Sequence, residues 1–253
     1  MTELEQLTEK TLGGLRVQPV AERIAYLNFL VYGEPGVGKT VLAGSSAEVS
    51  EMAPVLILDV EGGTFSIRDR NPEVDVVRVQ TWNDMQKVYD GLVKGELVYK
   101  TVVLDSLTEI QKFSMGLIME KLVKDDPERD PDVPGMREWG KNIEQIRRLV
   151  RAFRDLPMNT IFTALSVSTR DPRTGLDKIR PGLSGKLSGE VAGFVDIVGY
   201  MYVKSIDGEL QRLLLTAATD TQVAKDRSAK LPPVVQNPTL PTIYQSIFGG
   251  NET

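Results

Sequence analysis

The chain has 253 residues, 41% hydrophobic and 26% charged, enough to bury one sizeable core and too few for a second full domain. It contains no Cys and no His, so disulfides, thiolate and imidazole metal sites, Cys nucleophiles and His general bases are excluded; chemistry must rest on carboxylates, Lys, Arg and a metal ion. A net charge of −5, a polar start (MTELEQLTEK) and the lack of an apolar run of about 18 residues predict a soluble, cytoplasmic protein with no membrane partner, whose only route to nucleic acid is a local basic patch.

In chain order, a polar lead-in over residues 1–25 is followed by a core expected over 26–235 and a tail over 236–253. Apolar runs at 27–32, 55–59, 74–79, 101–105, 160–165, 197–203 and 211–216 alternate with helical patterns at 39–48, 82–93, 107–123 and 138–155. This alternation predicts an α/β fold, a mostly parallel central sheet flanked by helices. The last two strands read as a C-terminal antiparallel hairpin turning at Asp207-Gly208. In the fourth helix Trp139, Ile143, Ile146, Val150 and Phe153 recur at 4,3,4,3 spacing and form one core face.

Between the first strand and the first helix, Gly33, Glu34, Pro35, Gly36, Val37, Gly38, Lys39 and Thr40 read GEPGVGKT, a complete G-x-x-x-x-G-K-[ST] phosphate-binding loop. Gly36 and Gly38 let backbone N–H groups turn inward on phosphate oxygens, Lys39 reaches the β/γ-phosphates, and Thr40 offers its hydroxyl to Mg²⁺. With Val41 opening the helix, these residues define an expected site for ATP and Mg²⁺. The strand-to-helix context argues against an incidental Gly-rich turn.

Two acidic segments complete the pattern. VLILDVEGG places Asp59 and Glu61 at the end of the strand that follows the P-loop helix, and Glu61 is the candidate catalytic base. TVVLDS ends in Asp105 at a strand's carboxyl edge, a Walker B reading in which Asp105 holds Mg²⁺ beside Thr40. The competing reading makes Asp105 or Ser106 a helix N-cap. AAA+ ATPases usually carry a catalytic Glu directly after this Asp, where Ser106 stands here, which weakens that class. A GTPase reading lacks an N-K-x-D element.

On these three motifs the sequence resembles the RecA-type recombinase and hexameric helicase ATPases over about residues 28–233, and is most similar to the short, core-only RecA-like ATPases of bacteriophages implicated in single-strand DNA annealing and recombination. The resemblance implies a RecA-like core, water activation by Glu61, a polar γ-phosphate sensor at Ser166, and homo-oligomers in a ring or filament, in the host cytoplasm if phage-encoded. It also gives a role to Lys225-Asp226-Arg227, whose K-x-R spacing is similar to the helicase finger: Lys225 and Arg227 would reach a neighbouring subunit's nucleotide and stabilise charge on its γ-phosphate. A solvated basic turn is the plain alternative.

DNA contacts in such proteins come from two loops. The first, 124–140, is mostly acidic, with only Arg137 and the nearby Lys141 helpful; the second, 168–189, carries Arg170, Arg173, Lys178, Arg180 and Lys186 and reads as an irregular functional loop. It has no aromatics for base stacking, so contacts would go to phosphates; a solvated loop or subunit contact is the alternative. Arg147, Arg151 and Arg154 at i, i+4, i+7 read as a solvated helix face. The expected function is an ATPase, stimulated by and bound to single-stranded DNA, with a single-strand DNA-binding protein as a further partner. The alternative is a nucleotide-dependent scaffold or partner-loading ATPase whose basic loop meets protein; a nucleotide kinase is the weaker third reading.

Overall fold

The computed structural model describes residues 10–20, 25–171 and 174–249. A short hairpin, β1 (Thr11–Leu12) and β2 (Leu15–Arg16), precedes β3 (Asn28–Gly33), α1 (Lys39–Gly44), β4 (Val55–Asp59), β5 (Asp75–Arg78), α2 (Trp82–Lys94), β6 (Thr101–Asp105) and α3 (Leu107–Asp125). There follow α4 (Met136–Arg154), β7 (Asn159–Arg170), β8 (Asp177–Pro181), α5 (Leu187–Phe194), β9 (Ile197–Ile206), β10 (Glu209–Leu215), β11 (Lys225–Asp226), β12 (Val234–Gln236) and α6 (Leu240–Phe248).

The main sheet runs β12-β10-β9-β3-β7-β6-β4-β5, with β8 on β7 and β11 on β9. Pairing is parallel from β9 through β3, β7, β6 and β4 to β5, and antiparallel for β10 on β9 and β12 on β10. Every residue of β4 and β6 is buried, as expected for strands covered on both faces. Period-two alternation divides the core: Leu30, Tyr32, Leu58, Leu104 and Phe162 pack under α2 to α5, whereas Phe29, Val31, Ile57, Val103 and Ile161 pack under α1 and α6. The α/β class, the mostly parallel sheet and the antiparallel hairpin are therefore as the alternation predicts. The hairpin turns at Asp207 and Gly208, both at positive φ.

Several local expectations change. α1 stops at Gly44 and passes into a 3₁₀ turn, Ser45–Glu48, because the Ser45 and Ser46 hydroxyls donate to the Leu42 and Ala43 carbonyls at 2.7 and 2.6 Å. On α4, Ile146, Val150 and Phe153 are core, Ile143 is half-buried, and Trp139 at the first turn is 39% exposed. The described residues of segment 168–189 do not form an irregular loop. β7 continues past the parallel sheet and pairs with β8 in an antiparallel hairpin, and α5 begins at Leu187 with Leu187 and Val191 buried. The V-S-T stretch at 167–169 suits extended backbone well enough to outweigh the Gly and Pro nearby. Residues after 235 include α6, capped by Thr239, with Pro241 in its first turn and Leu240, Ile243 and Ile247 in the core. Among the described residues no helix is long and apolar enough to cross a membrane.

Gly33 marks where the site meets the sheet. A Cβ there would lie 2.2 Å from the Met201 carbonyl oxygen of β9, a backbone atom that cannot rotate away. Gly33→Ala is expected to destabilise the nucleotide-free protein by about 1–3 kcal/mol, read from urea unfolding; unchanged stability would show that β3 and β9 separate freely.

Candidate nucleotide-binding site

β3 delivers Gly33 to the carboxyl edge of the sheet, and the chain turns into α1 with Gly36 at φ 79° and Gly38 at φ 105°, conformations that L side chains rarely adopt. Lys39 folds back across this loop, its ammonium donating to the Gly33 and Glu34 carbonyls at 3.0 and 2.9 Å. Burial holds its pKa below the usual lysine value, opposed by the charges of Asp105, Glu61 and Glu34.

Thr40 Oγ1 donates to Asp105 Oδ2 at 2.7 Å, and Thr163 on β7 donates to the other oxygen, Oδ1. Asp105 is 3% exposed, so both partners satisfy a buried carboxylate. The pair suits Mg²⁺. No cluster of three or more His, Cys, Asp or Glu that could hold a metal occurs among the described residues. Nucleotide-bound Mg²⁺, however, takes most of its six ligands from phosphate and water, so one hydroxyl and one carboxylate suffice.

Glu61 reaches the same place from the neighbouring strand. Asp59 lies level with Asp105 in the β4–β6 register, and Ser106, fully buried, donates its hydroxyl to Glu61 Oε1. Ser106 is the N-cap residue of α3 by position, but its side chain caps no helix N–H. The carboxylate missing after Asp105 is thus supplied by β4 and held by Ser106. Asp59 itself is occupied: it accepts from the Gly62 and Gly63 amides at 2.6 and 3.3 Å and from Thr64 Oγ1 at 3.1 Å, with Arg78 3.3 Å away. It shapes the turn that presents Glu61.

These residues line one cavity of about 690 Å³ that includes Pro35, Gly36, Gly38, Lys39, Thr40, Val41, Glu61 and Asp105. Ser166, next to β7's last buried residues, donates to the Glu34 carboxylate of the P-loop. Sequence reasoning missed Thr163, Ser106, Arg70 and Arg212, the last two lining the same cavity. A hydroxyl inside the apolar TIFTAL run was the available signal for Thr163; nothing local marks Arg212.

Lys225 and Arg227 stand elsewhere. Lys225 pairs with Val198 on β9, and the Arg227 amide donates to the Asp196 carbonyl at the amino edge of the sheet. The Lys225 ammonium donates to the Ala192 and Val195 carbonyls at 2.7 and 2.6 Å, at the C-terminus of α5. The Arg227 guanidinium pairs with Asp196 at 2.7 Å. Arg227 lines a second cavity, about 860 Å³, at the edge opposite the P-loop.

The basic segment is divided. Lys178 and Arg180 share one face of the β7–β8 hairpin, opposite Thr169 and Val167, while Arg170 is on the other face opposite Asp177. Lys178 lies 3.6 Å from Asp171, Arg180 is half-buried, and Lys186 is exposed at the start of α5. Arg173 lies outside the described residues. Of the arginines read as a solvated face of α4, Arg151 is exposed and lies over the Phe194 ring at 4.6 Å, Arg154 bonds Asp155 at the surface, and Arg147, half-buried, pairs with Glu190 and Glu144.

Fold and site together define a P-loop nucleotide-binding domain. A model of an AAA domain family (AAA_24) matches residues 25–228, and the chain belongs to that family. Among solved structures it is similar to the flagellar accessory protein FlaH of Methanocaldococcus jannaschii, at 11% identity, TM-score 0.49, covering 83% of this chain and 84% of that one. It is also similar to a KaiC-like protein from Pyrococcus horikoshii, at 17% identity, TM-score 0.39, covering 75% and 77%. No curated protein matches it.

Ser106→Ala releases Glu61 without altering the P-loop. It is expected to lower ATP turnover by about 10- to 100-fold with little change in KM; a KM effect without a kcat effect would place Ser106 in nucleotide binding instead.

Proposed function

We propose that this protein is a RecA-like ATPase that hydrolyses Mg²⁺-ATP at subunit interfaces, binds single-stranded DNA, and acts in phage-type recombination or strand annealing. The observation that carries the hydrolytic part is the gathering of Thr40, Asp105 and Glu61 around one cavity, with the buried Ser106 hydroxyl bonded to Glu61. The P-loop amides and Lys39 bind and orient the triphosphate. Thr40 and Asp105 would hold Mg²⁺, which would supply charge neutralisation at the triphosphate. Glu61, aimed by Ser106, takes the proton of the attacking water, and Ser166, tied to Glu34, is the proposed γ-phosphate sensor. Lys39→Ala is expected to abolish tight ATP binding, whereas Glu61→Gln keeps binding and loses at least about two powers of ten in turnover. Wild-type turnover by Glu61→Gln would move the base to another carboxylate.

Lys225 and Arg227 are the proposed trans finger. Arg227 is five residues from the P-loop edge along the β3 register, on the order of 16 Å, so it cannot serve its own site. To act it must exchange Asp196 for a neighbour's γ-phosphate. Arg227→Ala should then bind ATP nearly normally and lose hydrolysis, because the guanidinium acts mainly on transition-state charge. Mixed with Lys39→Ala subunits, which keep their fingers, it should regain part of its turnover. Dead mixtures, together with full activity of Arg227→Ala alone at every protein concentration, would leave Arg227 as a tie to Asp196.

The DNA reading rests on Arg170, Arg173, Lys178, Arg180 and Lys186, with contacts to phosphates, DNA-stimulated turnover and a single-strand DNA-binding protein as the proposed protein partner. A second reading is favoured by the ordered hairpin itself, which exposes Val167 and Leu176 beside its cations: a partner-loading ATPase that docks protein there. Titrating labelled single strands at several salt concentrations separates them. A negative slope of log affinity on log salt, steeper with ATP, supports DNA binding; a slope near zero supports the protein partner.

A further inference from the structure

The sheet order separates the two ends of the nucleotide site. Asp105 and Thr163 come from β6 and β7 and Glu61 from the turn after β4, all on one side of the P-loop strand β3; on its other side lie β9 and β10. A nucleotide whose terminal phosphate meets Glu61 and whose middle sits in the P-loop runs its nucleoside end away from β4, toward the β9–β10 hairpin.

That hairpin overhangs the loop. Gly33 is level with Met201 on β9, and Arg212 on β10 faces Val203, two residues farther out. Arg212 Nε donates to the Val37 carbonyl at 3.1 Å, and a Cβ on Gly38 would lie 2.9 Å from the same nitrogen. Gly38 therefore answers a second demand besides its φ: Arg212 lies against it. The side chain is exposed, lines the P-loop cavity, and has no carboxylate partner among the described residues. Its backbone is fixed, the Arg212 carbonyl accepting from the Asn237 amide at 2.7 Å.

We propose that Arg212 is a nucleotide-binding residue acting in cis, which braces the Val37 carbonyl through Nε and contacts the α-phosphate and ribose end of the nucleotide with its terminal amino groups. The proposal rests on the nucleotide-binding reading above and adds a residue that the P-loop motif does not contain. The contact is made to the part of the nucleotide that does not react. Its loss is therefore a uniform loss of binding, raising KM and leaving kcat nearly unchanged.

The test is equilibrium binding of fluorescent ADP and ATP to the full chain and to Arg212→Ala, Arg212→Lys, Arg212→Gln and Lys39→Ala, at several subunit concentrations. Arg212→Ala is expected to weaken ADP and ATP by the same factor, about tenfold, the weight of one charge-assisted hydrogen bond, independent of subunit concentration. Arg212→Lys restores part of the affinity by its charge, whereas Arg212→Gln, which can still bond Val37, does not. If Arg212→Ala fails to fold, the Lys and Gln variants carry the comparison. Affinity equal to wild type in Arg212→Gln, or a loss confined to ATP, overturns the proposal. A wild-type chain that binds neither nucleotide overturns the underlying reading instead.

Discussion

The hydrogen bond between Thr40 and Asp105 is the constraint on which the site depends. Thr40 is in the first turn of α1, which follows β3, and β3 and β6 are not neighbours: β7 lies between them. The P-loop and the acidic edge therefore meet only if all three strands keep register, and Thr163 on β7 bonds the second oxygen of the same carboxylate. A buried carboxylate bonded by Thr40 of α1 and by Thr163 of the adjacent strand is costly to disturb, because each lost partner leaves part of a buried charge unpaired. Lys39 completes the balance: burial lowers its pKa, and the charges of Asp105, Glu61 and Glu34 oppose that shift.

The same strands reach the basic hairpin. The first half of β7 is sheet beside the P-loop strand; its second half is one arm of the β7–β8 hairpin. Thr108, in the first turn of α3 after Asp105, accepts the Leu165 amide at 3.0 Å and donates to the Gly182 carbonyl at 3.3 Å, just beyond β8. Tyr32, last before the P-loop, donates its hydroxyl to the Ile179 and Val223 carbonyls, and burial raises its pKa far above the phenolic norm. A rearrangement at Asp105 or Gly33 thus meets the hairpin through hydrogen bonds and one continuous strand. The factor by which a ligand of the hairpin changed nucleotide affinity would measure the corresponding coupling free energy.

What the sequence revealed follows from how local each signal is. Strands β4 and β6 match their apolar runs residue for residue, because a doubly covered strand must be apolar throughout. The P-loop was legible because its glycines and Lys39 act through the backbone they occupy. Ser106 was legible as a candidate N-cap and as a residue that is not a glutamate; its bond to Glu61 depends on the Asp59–Asp105 register, which pairs residues 46 positions apart. Arg212 depends on a longer-range fact still, that β10 lies beyond β9 and overhangs Gly38. The hairpin at 166–181 was hidden because strand-compatible residues are interrupted by Gly and Pro, which mark a turn between two strands as readily as they mark a loop.

The two arginines divide the proposed chemistry by position. Arg212 stands above its own P-loop, bonded to the Val37 carbonyl, where the proposal has it meet a nucleotide held by the same chain. Arg227 stands at the amino edge of the sheet, bonded to Asp196 and separated from its own Lys39 by the length of β3. Two different surfaces, one at each edge of the sheet, can come together only head to tail, and a head-to-tail contact repeats: it closes into a ring if the rotation per subunit permits and otherwise continues as a filament. Under that proposal ground-state binding belongs to one subunit and transition-state charge to the next, which would make nucleotide affinity a property of the monomer and turnover a property of the interface.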